Sequence, residues 1–201
     1  MGKSHEIRKH EMVQAVLALA AEHGLSKVTT QLVADHVGVA QPTVFRHFKN
    51  REMLLRATFD AVVNGLGERT GPIFNAEGSA IARLKQVLFT HLDYVSEIRG
   101  LPRFLFSDDL HLQSPELKLR VQQVMAAYAE RLAILIAQAQ EAGECQPALP
   151  AVQAAQLMIA TIQGIMMRWS LNDFSFSLAE QKPSFGLLVQ SVLGVVEKPL
   201  E

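Results

Sequence analysis

Apolar side chains return at intervals of three and four residues along almost the whole chain, with polar residues filling the positions between them. That spacing gives a helix one buried stripe. Over residues 5–23, Met12, Val16, Leu19 and Ala20 stand at i, i+4, i+7 and i+8, and Gly24 follows where a left-handed cap would end a helix. Thr29 and Thr30 offer hydroxyl caps to a short helix that runs through Val37. Gly38 closes it, because a tight turn between two helices needs a residue that takes positive φ without steric cost. Pro42 fits the first turn of a third helix, which closes near Phe48. Asn50 caps the next, with Glu52 in the first turn beside the positive end of the dipole.

Beyond residue 56 the pattern predicts long helices with brief breaks. Gly65, Gly67, Gly71 and Pro72 interrupt the first of them. Ser79 to Ile98 carries Ile81, Leu84, Leu88, Leu92 and Val95 on one face, Gly100 and Pro102 stop it, and a short apolar helix follows over Arg103 to Leu110. Ser114-Pro115-Glu116 combines a cap, a first-turn proline and an acid, and opens a helix that reaches Ala142. That helix is ~40 Å long at ~1.5 Å per residue. Gly143 and the Pro147/Pro150 pair end it, and two more helices fall near 151–171 and 184–197, with the loop around Asp173–Pro183 between them. No repeat interrupts this order.

Composition narrows the class. Of 201 residues, 49% are hydrophobic and 19% charged, which supports a real core and excludes a disordered chain. Short alternating strands with hairpin turns are missing, so the fold class is all-α. No apolar run spans a bilayer and the N-terminus lacks an apolar signal core, so the protein is expected in the cytosol without a membrane partner. The lone Cys145 excludes an internal disulfide and a cysteine-built zinc site.

Charge is unevenly shared. Residues 1–56 hold eight Lys/Arg against five Asp/Glu, and the remainder eleven against fifteen. A basic front end ahead of an acidic body suits a polyanionic partner. Within the front end, Ala34 is small where two helices cross, Gly38 makes the turn, and Val37, Val39, Val44 and Phe48 form a small core. Three helices with a glycine turn between the second and third describe a helix-turn-helix unit. With Val44 and Phe48 inward, Thr43, Arg46 and His47 face solvent, and Gln41 and Pro42 lie at the end that enters a major groove. Backbone N–H groups at Thr29/Thr30 suit phosphate.

The segment TTQLVADHVGVAQPTVFRHFKNREMLL, residues 29–55, resembles the DNA-binding signature of TetR/AcrR-type transcriptional regulators. The resemblance covers about residues 11–56 and fades afterwards. Carried over by position, it implies that Thr29, Thr30 and Gln31 begin the helix that contacts the DNA backbone, and that Gln41, Pro42 and Thr43 touch bases or adjacent phosphates. Phe45 stands where the family usually has tyrosine, which removes a hydroxyl and leaves ring packing or thymine-methyl contact. Arg46 and His47 match further groove or backbone positions, Lys49 adds a cation beside them, and Arg51 replaces the usual lysine with a bidentate fork suited to phosphate. Gln41 suits adenine and Arg46 guanine by paired hydrogen bonds.

For the body, the resemblance implies an inducer pocket and a two-fold homodimer. Leu88, Leu92, Phe104, Phe106, Met125, Tyr128, Leu132, Met158, Ile162, Met166 and Trp169 are the candidate pocket walls, with His91, Tyr128, Gln163 and Arg168 as polar anchors; ordinary core packing is the alternative for each. LMIATIQGIMMRW, residues 157–169, is apolar on nearly every side and must be covered on two faces. Leu157, Ala160, Gly164, Phe185, Leu188, Val192 and Val196 are the expected dimer face, forming a four-helix bundle across the two-fold; burial of both faces within one chain is the alternative. His91, Asp108, Asp109 and His111 form no compact ligand motif, so neither a metal nor a cofactor is expected.

The expected architecture is thus a helix-turn-helix DNA-binding domain over residues 1–51 and a helical ligand-binding and dimerisation domain over 52–201. The expected function is a ligand-responsive repressor that grips a palindromic double-stranded operator as a dimer and is released by an apolar or amphipathic small molecule. The alternative keeps the DNA module but makes the body a protein-interaction platform. HExxH, GxSxG, glycine-rich phosphate loops and paired cysteines are all missing, so an enzyme is not expected.

Overall fold

In the computed structural model, which describes residues 5–146 and 149–195, the periodic segments form α1 (His5–His23), α2 (Thr30–Val37), α3 (Gln41–His47), α4 (Arg51–Phe74), α5 (Ala80–Ser96), α6 (Gly100–Leu105), α7 (Pro115–Glu141), α8 (Ala151–Leu171) and α9 (Lys182–Leu193). They divide into two compact units. One contains the chain up to Gly65 together with Ile98–Gln122; the other contains Leu66–Glu97 and the chain from Gln123 onward.

In the first unit α1 buries two faces rather than one, with Met12, Val13, Val16, Leu17, Leu19 and Ala20 all inside. One side meets α2 and α3, the other α6. Gly100 permits that second contact: a Cβ there would lie 1.9 Å from the Leu17 carbonyl oxygen. The Arg103 guanidinium then donates to the Ala21 carbonyl. Gly24 does not act as a left-handed cap. Its φ of 78° is paired with ψ of 154°, a region essentially reserved for glycine, and it leads into a short 3-10 turn over Leu25–Lys27.

Thr29 caps α2 by accepting from the Leu32 N–H at 3.1 Å. Gly38, at φ +73°, closes α2 in the left-handed region, and the Val39 N–H returns to the Ala34 carbonyl at 2.9 Å. Asn50 caps α4 through the Met53 N–H at 2.8 Å.

Two boundaries depart from the sequence expectation. α4 runs unbroken through Gly65, Gly67, Gly71 and Pro72. Each glycine keeps its ladder N–H, and Pro72 lies in the last turn, where its ring forfeits a single bond. α6 begins at Gly100 and ends at Leu105, so Gly100 and Pro102 open a helix instead of stopping one. Proline is compatible with that first turn because its N–H would have lacked a partner there. A five-residue π turn, Asp109–Gln113, then precedes α7.

The second unit packs Leu84, Leu88, Leu92 and Val95 of α5 with Leu132, Leu135 and Ile136 of α7, Met158, Ile162, Met166 and Trp169 of α8, and Phe185, Val189 and Leu193 of α9. Ser79 caps α5, and the Glu144 carboxylate accepts from both the Ser79 hydroxyl (2.9 Å) and the Ile81 N–H (2.8 Å). That places a negative charge on the positive end of the helix. α9 stops at Leu193 because Gly194 turns left-handed at φ +58°, and Val196 of the expected dimer face lies outside the described residues. No helix among the described residues is long and apolar enough to cross a membrane.

Candidate nucleic-acid interface and effector site

α3 is short, and two apolar residues fix which way it faces. Val44 and Phe48 are buried, i and i+4 on its inner side. The opposite side therefore presents Pro42, Phe45 and Arg46 to solvent, with Thr43, Gln41 and His47 half-buried at its margins. Phe45 is 47% exposed, which no packing requirement of the fold explains. Thr29 and Gln31 of α2 and Lys49 beyond α3 are also exposed.

Two polar groups at this face are held by solvent-exposed hydrogen bonds. Arg46 donates to the Thr43 hydroxyl at 2.9 Å and Gln31 to the Asp35 carboxylate at 2.7 Å. Such bonds exchange readily for contacts to a base or phosphate. The Gln41 amide donates to the Thr30 hydroxyl at 3.0 Å, which ties α3 to α2. His47 stacks on His5 with ring centroids 4.2 Å apart. Burial, then the charges of His5, Arg46 and Arg8, hold its imidazole below the usual range, so it is neutral near pH 7.

Two residues expected on DNA are turned inward. Thr30 is buried and its hydroxyl is taken by Gln41. Arg51 directs its whole fork into the protein: to the Val28 carbonyl at 2.7 Å, the Leu25 carbonyl at 2.8 Å and the Asp109 carboxylate at 3.0 Å. The Asp109 side chain is only 5% exposed. The partners stand 58 residues apart, so the sequence bore a single trace of this pairing, the arginine itself, whose rigid planar fork serves acceptors in several fixed directions at once. An open groove of about 480 Å³ also runs along α1 and α2, lined by His10, Glu11, Gln14, Ala18 and His36 and by no residue of α3.

In the second unit, Leu88, Leu92, Leu132, Met158, Ile162, Met166 and Trp169 are buried, while the candidate walls Met125 and Tyr128 are half-buried. Phe104 and Phe106 fall in the first unit, on α6 and just after it, Phe104 buried and Phe106 half-buried. Polar anchors separate into two groups. Arg168 leaves the interior, donating to the Gln181 side chain at 2.6 Å on the surface. His91 and Tyr128 converge instead: their rings meet edge-on at 5.3 Å, and Phe74 meets the Tyr128 ring edge-on at 6.3 Å. Gln163 lies against the Met125 sulfur at 3.4 Å.

The His91 Nδ1 and Tyr128 Oη atoms are buried and have no hydrogen-bond partner among the described residues. Each such vacancy costs about 1–3 kcal/mol, and two side by side are uncommon in a native interior. Desolvation pushes the His91 imidazole down to about 4 and the Tyr128 phenol well up, so both are uncharged near neutral pH.

α8 and α9 carry an uncovered apolar face. Leu157 and Leu171 are 48% and 75% exposed, and Leu187 and Leu188 are 67% and 42% exposed. Ala160 and Gly164 share the α8 side of this face, and nothing lies within 4 Å of a Cβ added at Gly164. Val192 is half-buried at the edge. Phe185, expected on the same face, is buried in its own unit with 2% exposure, and Leu187 takes its place.

Known proteins match both segments. The model for bacterial regulatory proteins of the tetR family matches residues 13–58, and that for the tetracyclin repressor-like C-terminal domain matches residues 80–180. The nucleoid occlusion factor SlmA of Marinomonas sp. (strain MWYL1) is 23% identical over 194 residues, covering 96% of this chain and 98% of that protein. The fatty acid metabolism regulator protein of Bacillus subtilis (strain 168) is 23% identical over 168 residues, 84% of this chain and 86% of that one. Among solved structures, the transcriptional regulator FadR from Bacillus subtilis in complex with stearoyl-CoA superposes with a TM-score of 0.79 at 21% identity, over 94% of this chain and 99% of that one. The SmeT–triclosan complex gives 0.76 at 17% identity, over 97% and 99%.

Proposed function

Because the chain belongs to the tetR family of bacterial regulatory proteins, we propose that it is a dimeric repressor whose α3 reads a palindromic operator and whose body binds an apolar or amphipathic effector. The observation that carries this reading is the α3 face, where Phe45 and Arg46 stand outward on a helix pinned by buried Val44 and Phe48. In this reading residues 1–51 bind DNA and 52–201 bind effector and partner subunit. Gln41, Pro42, Thr43, Phe45, Arg46 and His47 meet the groove and its rim. Thr29, Gln31, Lys49 and the N-terminal amides of α2 meet phosphate, while Arg51 and Thr30 hold the head in shape.

The exposed leucines of α8 and α9 support the dimer, which sets two recognition helices about one helical turn apart, ~34–36 Å. An effector that binds better to a conformer with the wrong spacing shifts the population away from DNA. The likenesses to FadR with stearoyl-CoA and to SmeT with triclosan support an apolar or amphipathic effector.

A second reading has its own support. Similarity to the nucleoid occlusion factor SlmA across 96% of this chain favours a role at the nucleoid, and in this reading the body is a protein-interaction platform. Lipophilic compounds separate the two, since a ligand of the native state raises the melting temperature.

The central test uses DNA selected by the protein itself from a random duplex library. Arg46→Ala and Gln41→Ala each weaken binding to the selected duplex by roughly 5- to 150-fold, the range of one lost bidentate base contact. Unchanged affinity in both variants would remove α3 as the reader.

A further inference from the structure

We propose that the effector carries an uncharged hydroxyl as its polar end, seated between His91 of α5 and Tyr128 of α7. This rests on the ligand-responsive reading above and specifies the chemistry of that site. The two rings meet edge-on at 5.3 Å, so the two side chains share one small region of the interior. Both His91 Nδ1 and Tyr128 Oη are buried, and neither has a hydrogen-bond partner among the described residues. Their surroundings cannot supply one. The neighbouring ring is Phe74, packed edge-on against Tyr128 at 6.3 Å. Leu88 and Leu92 flank His91 along α5, and Leu132 lies one turn beyond Tyr128 on α7, all three fully buried.

The available groups select the ligand. A neutral imidazole with its proton on Nε2 offers Nδ1 as an acceptor, and the phenol offers an O–H donor. A hydroxyl satisfies both at once, donating to Nδ1 and accepting from Oη. An ether accepts but cannot donate, and an alkane does neither. A carboxylate would place a full charge against two neutral groups. The guanidinium of Arg131 lies over the Phe74 ring at 4.0 Å and its charge reaches the Tyr128 phenol, where burial outweighs it; the residue is exposed, so water screens that charge. In the ligand-free protein burial keeps His91 and Tyr128 uncharged, so an anion would meet no standing counter-charge between them.

The test titrates the full-length protein with 1-alkanols of eight to fourteen carbons, and with the methyl ethers and carboxylates of equal length. Binding is read by calorimetry, and release from the selected duplex by fluorescence anisotropy. At the best chain length the alkanol binds more than about ten-fold tighter than either analogue, because a site built for a hydroxyl rejects ligands that leave its polar groups unpaired. Tyr128→Phe and His91→Phe each bring the alkanol down to the level of the ether. Equal affinity for the three series, no binding by any alkanol, or indifference of both variants overturns the proposal and leaves the two atoms to a trapped water. A ligand-free Tyr128→Phe melting several degrees below the native protein also overturns it, since the hydroxyl would then be bonded already. Tight, Tyr128-dependent alkanol binding that fails to release the duplex upholds the site chemistry and refutes instead the ligand-responsive reading.

Discussion

Replacing Arg51 with methionine separates two roles for a cation beside a recognition helix. The change removes three hydrogen bonds, at 2.7, 2.8 and 3.0 Å, and leaves the Asp109 carboxylate buried without its counter-ion. Removing one partner of a fully buried ion pair costs about 3–5 kcal/mol. The Arg51 side chain is 32% exposed, so water softens the loss, and the lower end, about 3 kcal/mol, is expected. For a chain of this length that corresponds to a fall of roughly 6–12 °C in melting temperature, at ~2–4 °C per kcal/mol.

Three variants make the assay decisive. Arg51→Lys keeps the charge but reaches fewer acceptors, so it retains only part of the stability. Arg51→Met combined with Asp109→Leu removes both ions and recovers much of what Arg51→Met alone loses, because the stranded charge is gone. Thermal melts followed by circular dichroism give the cycle, and affinity for the selected duplex against salt concentration gives the second axis. A phosphate ligand behaves differently: its loss lowers the slope of log K against log salt by ~0.9 and leaves the fold intact. A native-like melt for Arg51→Met together with that shallower slope would refute the internal strut.

Two further outcomes follow from geometry and burial. Gly100→Ala forces a Cβ to within 1.9 Å of the Leu17 carbonyl oxygen, so α6 must part from α1; a loss of about 3 kcal/mol or more is expected in urea melts. Gly186→Ala is the control, because its Cβ meets movable side chains, the Phe89 ring tip at 3.2 Å and the Lys85 stem at 3.5 Å, and a comparable loss in both variants would discredit the backbone clash. The pH dependence tests His91, whose folded-state value of about 4 lies below its ordinary 6.5. The unfolded chain then takes up a proton first as pH falls. The stability is fully present above pH 6.5 and is lost toward pH 4, by about 3 kcal/mol in all. His91→Phe flattens that part of the urea midpoint profile between pH 7 and 5; a variant profile parallel to the native one would mean that His91 does not titrate alone in the interior.

The helical frame was legible because its signals are local. Thr29, Gly38 and Asn50 act within four residues of themselves, so their capping could be read from neighbours. The inner side of α3 was legible for the same reason, since Val44 and Phe48 stand at i, i+4 and turn Arg46 outward, whereas Thr43 and His47, expected in solvent, are half-buried. Failures had the opposite character. Gly65, Gly67, Gly71 and Pro72 lower helix propensity by amounts that packing overrides, so α4 passes through them. Gly100 reads as a helix stop, yet its need is a close approach to Leu17, eighty-three positions earlier. Phe185 and Leu187 lie two residues apart in an apolar run, and periodicity alone did not decide which of them faces inward. Asp109 carried an ambiguous signature, fit for a cap or a metal, and its use as the Arg51 counter-ion is a tertiary fact.

These long-range contacts share a consequence for the DNA-reading head. The functional division proposed at residue 51 cuts through a unit that packing makes continuous from α1 to Gly65 and again over Ile98–Gln122. Three contacts fasten the later segment to the earlier one: Gly100 on Leu17, Arg103 on the Ala21 carbonyl, and Asp109 on Arg51. The last of these is joined through Arg51 to Leu25 and Val28, the residues that lead into α2. A displacement of the segment from Gly100 to the π turn therefore acts on α1 and on the entry to α2 directly, without crossing the recognition helix. Close-packed contacts of this kind, a glycine against a carbonyl and a buried ion pair, admit discrete rearrangement rather than gradual give. The α3 face pinned by Val44 and Phe48 therefore belongs to the same packed unit as the segment from Gly100 to the π turn.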